Sequence, residues 1–100
     1  MLESIKILGC DYAITEEDRI SRDSYTYGSV DYVTQTIKIS KELTPQRKAE
    51  TLLHEVVHTI LFEMREVDLS ENERFVGIMA ATLLQVFRDN PALLAFLGGL

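Results

Sequence analysis

The sequence contains a single cysteine, Cys10, so the 100-residue chain cannot form an internal disulfide. This scarcity is typical of proteins from a reducing compartment. Long apolar runs are also missing, so no segment of the chain is long and apolar enough to span a bilayer. The opening residues MLESIKILG lack the basic region and apolar stretch of a signal peptide. We therefore expect a cytoplasmic protein with no membrane partner.

Positive charge is scarce as well, since 10 Lys and Arg stand against 16 Asp and Glu, which gives a net charge of −6. The acids are spread along the chain and disfavour binding to phosphates, so we expect no nucleic acid partner. Apolar residues make up 46% and charged residues 26%, an ordinary globular composition. Because no linker, repeat or low-complexity tract divides the chain, residues 1–100 should form a single domain.

Strand signals dominate the first 40 residues. The apolar residues that alternate with polar neighbours are Ile5 with Ile7, Tyr25 with Tyr27, and Ile37 with Ile39. A change in the parity of the apolar positions across Gly28 and Ser29 predicts a bulge or bend. The segment VDYVTQTIKI predicts a hairpin that turns near Thr34 and Gln35. Together these patterns predict a small, mainly antiparallel sheet.

Helical signals dominate the rest of the chain. Thr44 and Pro45 predict a helix start, and the helical pattern continues without a breaker to about Arg65. Ser70 is predicted to open a second helix that ends near Asp89. Its apolar stripe consists of Phe75, Val76, Met79, Leu83, Val86 and Phe87. A cap-and-proline signal at residues 90–91 predicts a short third helix. The expected fold class is α+β, with the sheet first and the helices after it.

The segment LLHEVVHTI places the only two histidines of the chain one helical turn apart. At about 100 degrees per residue, His58 lies about 40 degrees and Glu55 about 100 degrees from His54. The remaining arc of the helix is apolar, so the three polar residues share one edge of a buried helix. Two such imidazoles can bind one zinc ion, and the glutamate can act on water. The alternative is a core helix whose histidines find hydrogen-bond partners.

A zinc site needs a third protein ligand, and the chain has no third histidine. A carboxylate must therefore supply it. Two acids on the same helix are badly placed, because Glu63 points away and Glu50 lies about 12 Å along the axis from His58.

The acids that follow the turn are better candidates. If the second helix packs back antiparallel, each residue further into it rises about 1.5 Å toward the histidines. Of Asp68, Glu71 and Glu73, this favours Glu73 as the third ligand and makes Glu71 the second choice. Ser70 and Glu73 also match a capping box, in which the glutamate caps the helix and binds no metal.

These segments resemble a known family. TLLHEVVHTI, preceded by GSVDYVTQTIKI and LTPQRKAE and followed by NERFVGIMAATLLQVFRDNP, resembles short phage and prophage zincin-like proteins related to the ImmA/IrrE-type metallopeptidases. The resemblance runs from about Tyr27 to Pro91, and only the H-E-x-x-H core is highly specific. One difference lies in the second helix, where this chain reads ERFVG and those relatives tend to carry E-x-x-A-N.

The resemblance implies a minimal zincin-like fold with His54, His58 and Glu73 as zinc ligands and Glu55 as the catalytic base. It also implies a zinc metallopeptidase that cleaves a protein or peptide substrate, such as a repressor-type regulator, in the cytoplasm of a bacterial host. Zinc would lower the pKa of its bound water toward about 7, and Glu55 would accept the proton. A zincin-like binding protein that engages a regulator without cleaving it is the alternative.

Overall fold

A four-stranded sheet precedes four helices in the computed structural model, which describes residues 2–18 and 27–99. The strands are β1 (Ser4–Ile7), β2 (Cys10–Glu17), β3 (Gly28–Asp31) and β4 (Thr36–Ser40). The helices are α1 (Pro45–Glu63), α2 (Val67–Ser70), α3 (Glu73–Asp89) and α4 (Pro91–Gly98). The predicted α+β class is thus confirmed. In the described part of the chain, no helix combines the length and apolarity needed to cross a membrane.

The sheet has the order β1-β2-β4-β3 and is mixed. β1 pairs with β2 and β3 with β4 in antiparallel fashion, while the central β2 and β4 run parallel. The turn of the β3–β4 hairpin was predicted at the observed place. Asp31 Oδ1 accepts hydrogen bonds from the backbone N–H groups of Val33 (2.9 Å) and Thr34 (3.1 Å). Gln35 takes a positive φ of 53° to close the turn.

The bulge predicted at Gly28 and Ser29 is wrong. β3 pairs with β4 in unbroken register from Gly28 opposite Ile39 to Asp31 opposite Thr36. Gly28 instead allows close packing of β3 against α1. Tyr27, which was expected in a strand, lies outside β3 and is half exposed. Tyr25, the other residue of the predicted pair, falls outside the described residues.

Helix α1 begins as predicted, because the Thr44 side chain accepts a hydrogen bond from the Arg47 N–H and Pro45 occupies the first turn. It ends at Glu63, two residues before the predicted end. Arg65 adopts a left-handed φ of 66°, which is incompatible with continuing the helix.

Helix α1 lies between the sheet and α3, and both of its broad faces are therefore apolar. The core against the sheet comprises Ile7, Tyr12, Ile14, Ile37, Ile39 and Val56. The core against α3 comprises Val57, Val76 and Ala80, with Leu53, Leu61, Met79 and Leu83 packed around it. The edge of α1 between these two cores carries the polar residues of the motif, of which Glu55 and His58 are buried and His54 is partly exposed.

The predicted start of the second helix at Ser70 is wrong, since Ser70 ends the short helix α2 and α3 begins at Glu73. The N-cap is Asn72, whose side-chain oxygen accepts a hydrogen bond of 3.0 Å from the Phe75 N–H. Ser70 is buried and hydrogen-bonded to α1, so its hydroxyl is not free to cap. The end of α3 at Asp89 and the short last helix agree with prediction.

Candidate metal centre

The edge of α1 that carries the motif brings the two histidine rings together. Their centroids lie 4.9 Å apart and their Nε2 atoms 3.2 Å apart. The His58 side chain is 11% exposed and that of His54 28%, so both rings sit at the floor of a cleft rather than on an open surface. The i, i+4 spacing that suggested a shared ligand thus produces converging nitrogen atoms.

Glu73 completes a three-residue cluster. Its Oε1 lies 2.9 Å from His58 Nε2, and its Oε2 lies 3.1 Å from His54 Nε2. Nitrogen and oxygen ligands about 2.0 to 2.1 Å from a tetrahedral metal are separated from one another by about 3.4 Å, close to these distances. Glu73 thus lies beside both histidines, and the three residues form a cluster that could hold a metal ion.

The hydrogen bonds of His58 determine which of its atoms faces the cluster. Its Nδ1 contacts the backbone carbonyl oxygen of Ser70, which can only accept, so Nδ1 carries a proton. Its Nε2 is therefore the ring nitrogen that faces Glu73 and His54, and it can offer a lone pair to a cation placed between them. The donor set therefore fits a metal ion.

Ser70 fixes His58 from two directions. While its carbonyl accepts from the imidazole, its hydroxyl donates a 2.9 Å hydrogen bond to the His58 carbonyl. A backbone carbonyl that orients a ligating imidazole is a common feature of metal sites. Sequence reasoning missed this role because a backbone acceptor leaves no side-chain signal, and Ser70 itself matched a helix cap.

Glu55 lies beside the cluster and is almost fully buried, with 7% of its surface exposed. Burial is the main cause that raises the pKa of its carboxyl group from 4.5 to about 7, and within that result His58 lowers the pKa while the charge of Glu73 raises it. Glu55 is not a member of the cluster that His54, His58 and Glu73 form. It is thus a buried carboxyl group with a raised pKa next to a cluster that could hold a metal ion.

A cleft between β3 and α1 gives access to these residues. It consists of two hollows of about 440 Å³ and about 560 Å³, and Gly28, Glu55 and Glu73 line both. A Cβ atom on Gly28 would lie only 2.6 Å from the Thr51 Cγ2 atom. The absence of a side chain at Gly28 therefore allows β3 to lie against the edge of α1 that carries the cluster.

The other acids weighed as ligands do not join the cluster. Glu63 faces the sheet, where it accepts hydrogen bonds from the Tyr12 hydroxyl (2.7 Å) and from the Cys10 thiol (3.5 Å). Glu71 lines the larger hollow but is not among the clustered ligand atoms. Glu73 is also not held in a capping box with Ser70, because its two oxygens contact the histidines.

Comparisons of the chain with protein-family models, with curated proteins and with solved structures find no match. The features that indicate a function are the geometry of the cluster and of the cleft that leads to it.

Proposed function

We propose that this chain is a zinc-dependent metallopeptidase. The observation that carries the proposal is the convergence of His54, His58 and Glu73 beside the buried Glu55. Two imidazole nitrogens and one carboxylate oxygen form a typical ligand set of catalytic zinc, which leaves further positions open. The Glu73 side chain is 71% exposed, so the cluster faces the cleft rather than the protein interior.

His54, His58 and Glu73 would hold the zinc ion, which would supply a Lewis acid able to polarise a carbonyl group and to acidify water. Glu55 then provides the acid–base function from its place beside the cluster. Its carboxylate accepts a proton from the attacking water and delivers it to the nitrogen of the departing amine as the C–N bond breaks.

The substrate is a peptide segment bound in extended form along β3. Among the described strands, β3 ends the sheet on the side of the cleft, so its outer backbone groups have no strand partner. Backbone hydrogen bonds to β3 would place a peptide bond over the edge of α1 that carries the cluster.

The resemblance to ImmA/IrrE-type peptidases suggests what that segment belongs to. We infer a repressor-type regulator as the substrate, in a phage or prophage setting within the bacterial cytoplasm. The net charge of −6 supports a protein partner rather than a nucleic acid.

Cleavage can be tested with zinc-loaded protein and a library of capped decapeptides, read out by mass spectrometry. The wild type should cut a subset of the peptides, while Glu55→Gln should retain zinc and cut at least about 100-fold more slowly. Equal cleavage by Glu55→Gln would rule out the role of Glu55 as the base. Absence of cleavage by a folded, zinc-loaded wild type would refute the peptidase proposal.

A second candidate function is binding of a regulator without cleavage. It is favoured by the contacts of Glu73 with both histidines, because a protonated imidazole could replace the metal and form an ion pair. Such a protein would bind its partner equally well after zinc is removed by a chelator, whereas a peptidase would lose its activity.

A further inference from the structure

The larger hollow of the cleft has an apolar wall beside the metal centre. Four side chains form this wall, which we call the apolar recess: Val30, Tyr32, Phe62 and Val67. The rings of Tyr32 and Phe62 stack with centroids 3.8 Å apart and planes inclined by 6°, so they present one continuous apolar surface. Val67 closes the recess from α2 and is 47% exposed.

The recess is directly continuous with the candidate catalytic residues. Glu55, His58 and Glu73 line the same hollow, whose volume of about 560 Å³ is large enough for a whole side chain. Val30 belongs to β3, the strand along which we place the peptide. A side chain projecting from a peptide on β3 would therefore reach the recess while the peptide backbone lies at the metal centre.

We propose that the apolar recess selects a large apolar side chain, aromatic or branched, in the peptide segment that the cleft binds. This inference rests on the proposed function, since it names the substrate feature that the same site recognises. Covering a Leu- or Phe-sized side chain in such a recess should favour it over Ala by about 10- to 100-fold.

The charges around the cleft further restrict which substrate side chains the recess accepts. The two hollows are lined by four acids, Glu50, Glu55, Glu71 and Glu73, and the described residues that line them include no lysine or arginine. Glu71 lines the same hollow as the recess. Acidic side chains entering the recess would lose hydration and meet like charges, so they should be rejected more strongly than Ala.

The test uses two variants on the same short helix, together with the decapeptide library. Val67→Lys places a positive charge at the recess, while Leu69→Lys places one on an exposed residue of α2 that does not line it. Cleavage sites are read from zinc-loaded wild type and both variants. Binding is read separately, by recovering peptides on zinc-loaded Glu55→Gln protein with and without Val67→Lys.

We expect the wild-type profile to show one position enriched in Phe, Leu, Ile or Met about tenfold or more over Ala, and depleted in Asp and Glu. Val67→Lys should weaken the apolar enrichment about tenfold and admit Asp and Glu, while Leu69→Lys should leave the profile unchanged. Cleavage without an apolar preference, or a Val67→Lys profile identical to that of the wild type, would refute the proposed selectivity of the recess but not the proposed peptidase activity. Selective, Val67-dependent binding without cleavage by the wild type would support the recess and refute the peptidase. Absence of both binding and cleavage would refute both.

Discussion

Gly28→Ala should separate the role of the cleft from the role of the metal ligands. The added Cβ would lie 2.6 Å from Thr51 Cγ2, 3.1 Å from the Lys38 carbonyl oxygen and 3.4 Å from Glu55 Cγ. Because the first distance is far below van der Waals contact, β3 or the Thr51 side chain must shift, and the Lys38 oxygen, which is backbone of the neighbouring strand β4, limits how β3 can move. Overpacking of this kind costs about 1 to 3 kcal/mol of unfolding free energy.

Urea unfolding measures this loss, and zinc content and peptide cleavage measure its consequences. We expect zinc to be retained, since no ligand lies on β3, while cleavage falls because the strand is displaced from Glu55. Thr51→Ser removes the Cγ2 atom that is contacted most closely. The Gly28→Ala/Thr51→Ser double variant should therefore lose less unfolding free energy than the two single variants lose together, by about 0.5 kcal/mol or more. A Gly28→Ala protein as stable and active as the wild type would refute the proposed close packing.

Three further predictions concern stability. Asn72→Ala should lower the unfolding free energy by about 1 kcal/mol in urea titrations, because it removes the N-cap of α3, whereas Asn72→Ser should lose much less. Tyr12→Phe should destabilise the fold by about 1 to 2 kcal/mol by removing the 2.7 Å hydrogen bond to Glu63, yet zinc binding should not change, since Glu63 faces away from the cluster. In metal-free protein the raised pKa of Glu55 favours folding below pH 4.5, and this contribution should be lost as the pH rises to about 7. The wild type should then lose up to about 3 kcal/mol more than Glu55→Gln over that range, and identical pH profiles would contradict the buried position of Glu55.

The helical half of the molecule could be predicted well because its signals are local. The period of α1 places His54, Glu55 and His58 on one edge whatever the rest of the chain does, and the observed cluster agrees. The third member of the cluster was predictable because an antiparallel return after a short turn limits which acids come near the histidines. Glu73 was favoured on this ground and lies in contact with both imidazoles.

The errors arose where distant residues decide the outcome. Ser70 and Asn72 are both good caps in isolation, but the contact of Ser70 with His58 on another helix buries it and leaves the cap to Asn72. Gly28 signals either a bulge or a close approach, and only the position of Thr51 across the cleft distinguishes them. The parallel pairing of β2 with β4 likewise depends on chain topology and not on alternation within either strand.

The most direct test of the account is the zinc content of protein purified without added metal or chelator. The wild type should contain close to one zinc per chain, and so should Glu71→Gln, a matched control for charge near the cleft. His54→Ala and Glu73→Gln should lose most of the metal while remaining folded, because each removes one of the three converging ligand atoms. A folded wild type without zinc, or a Glu73→Gln variant that retains zinc as well as Glu71→Gln does, would contradict the proposed centre.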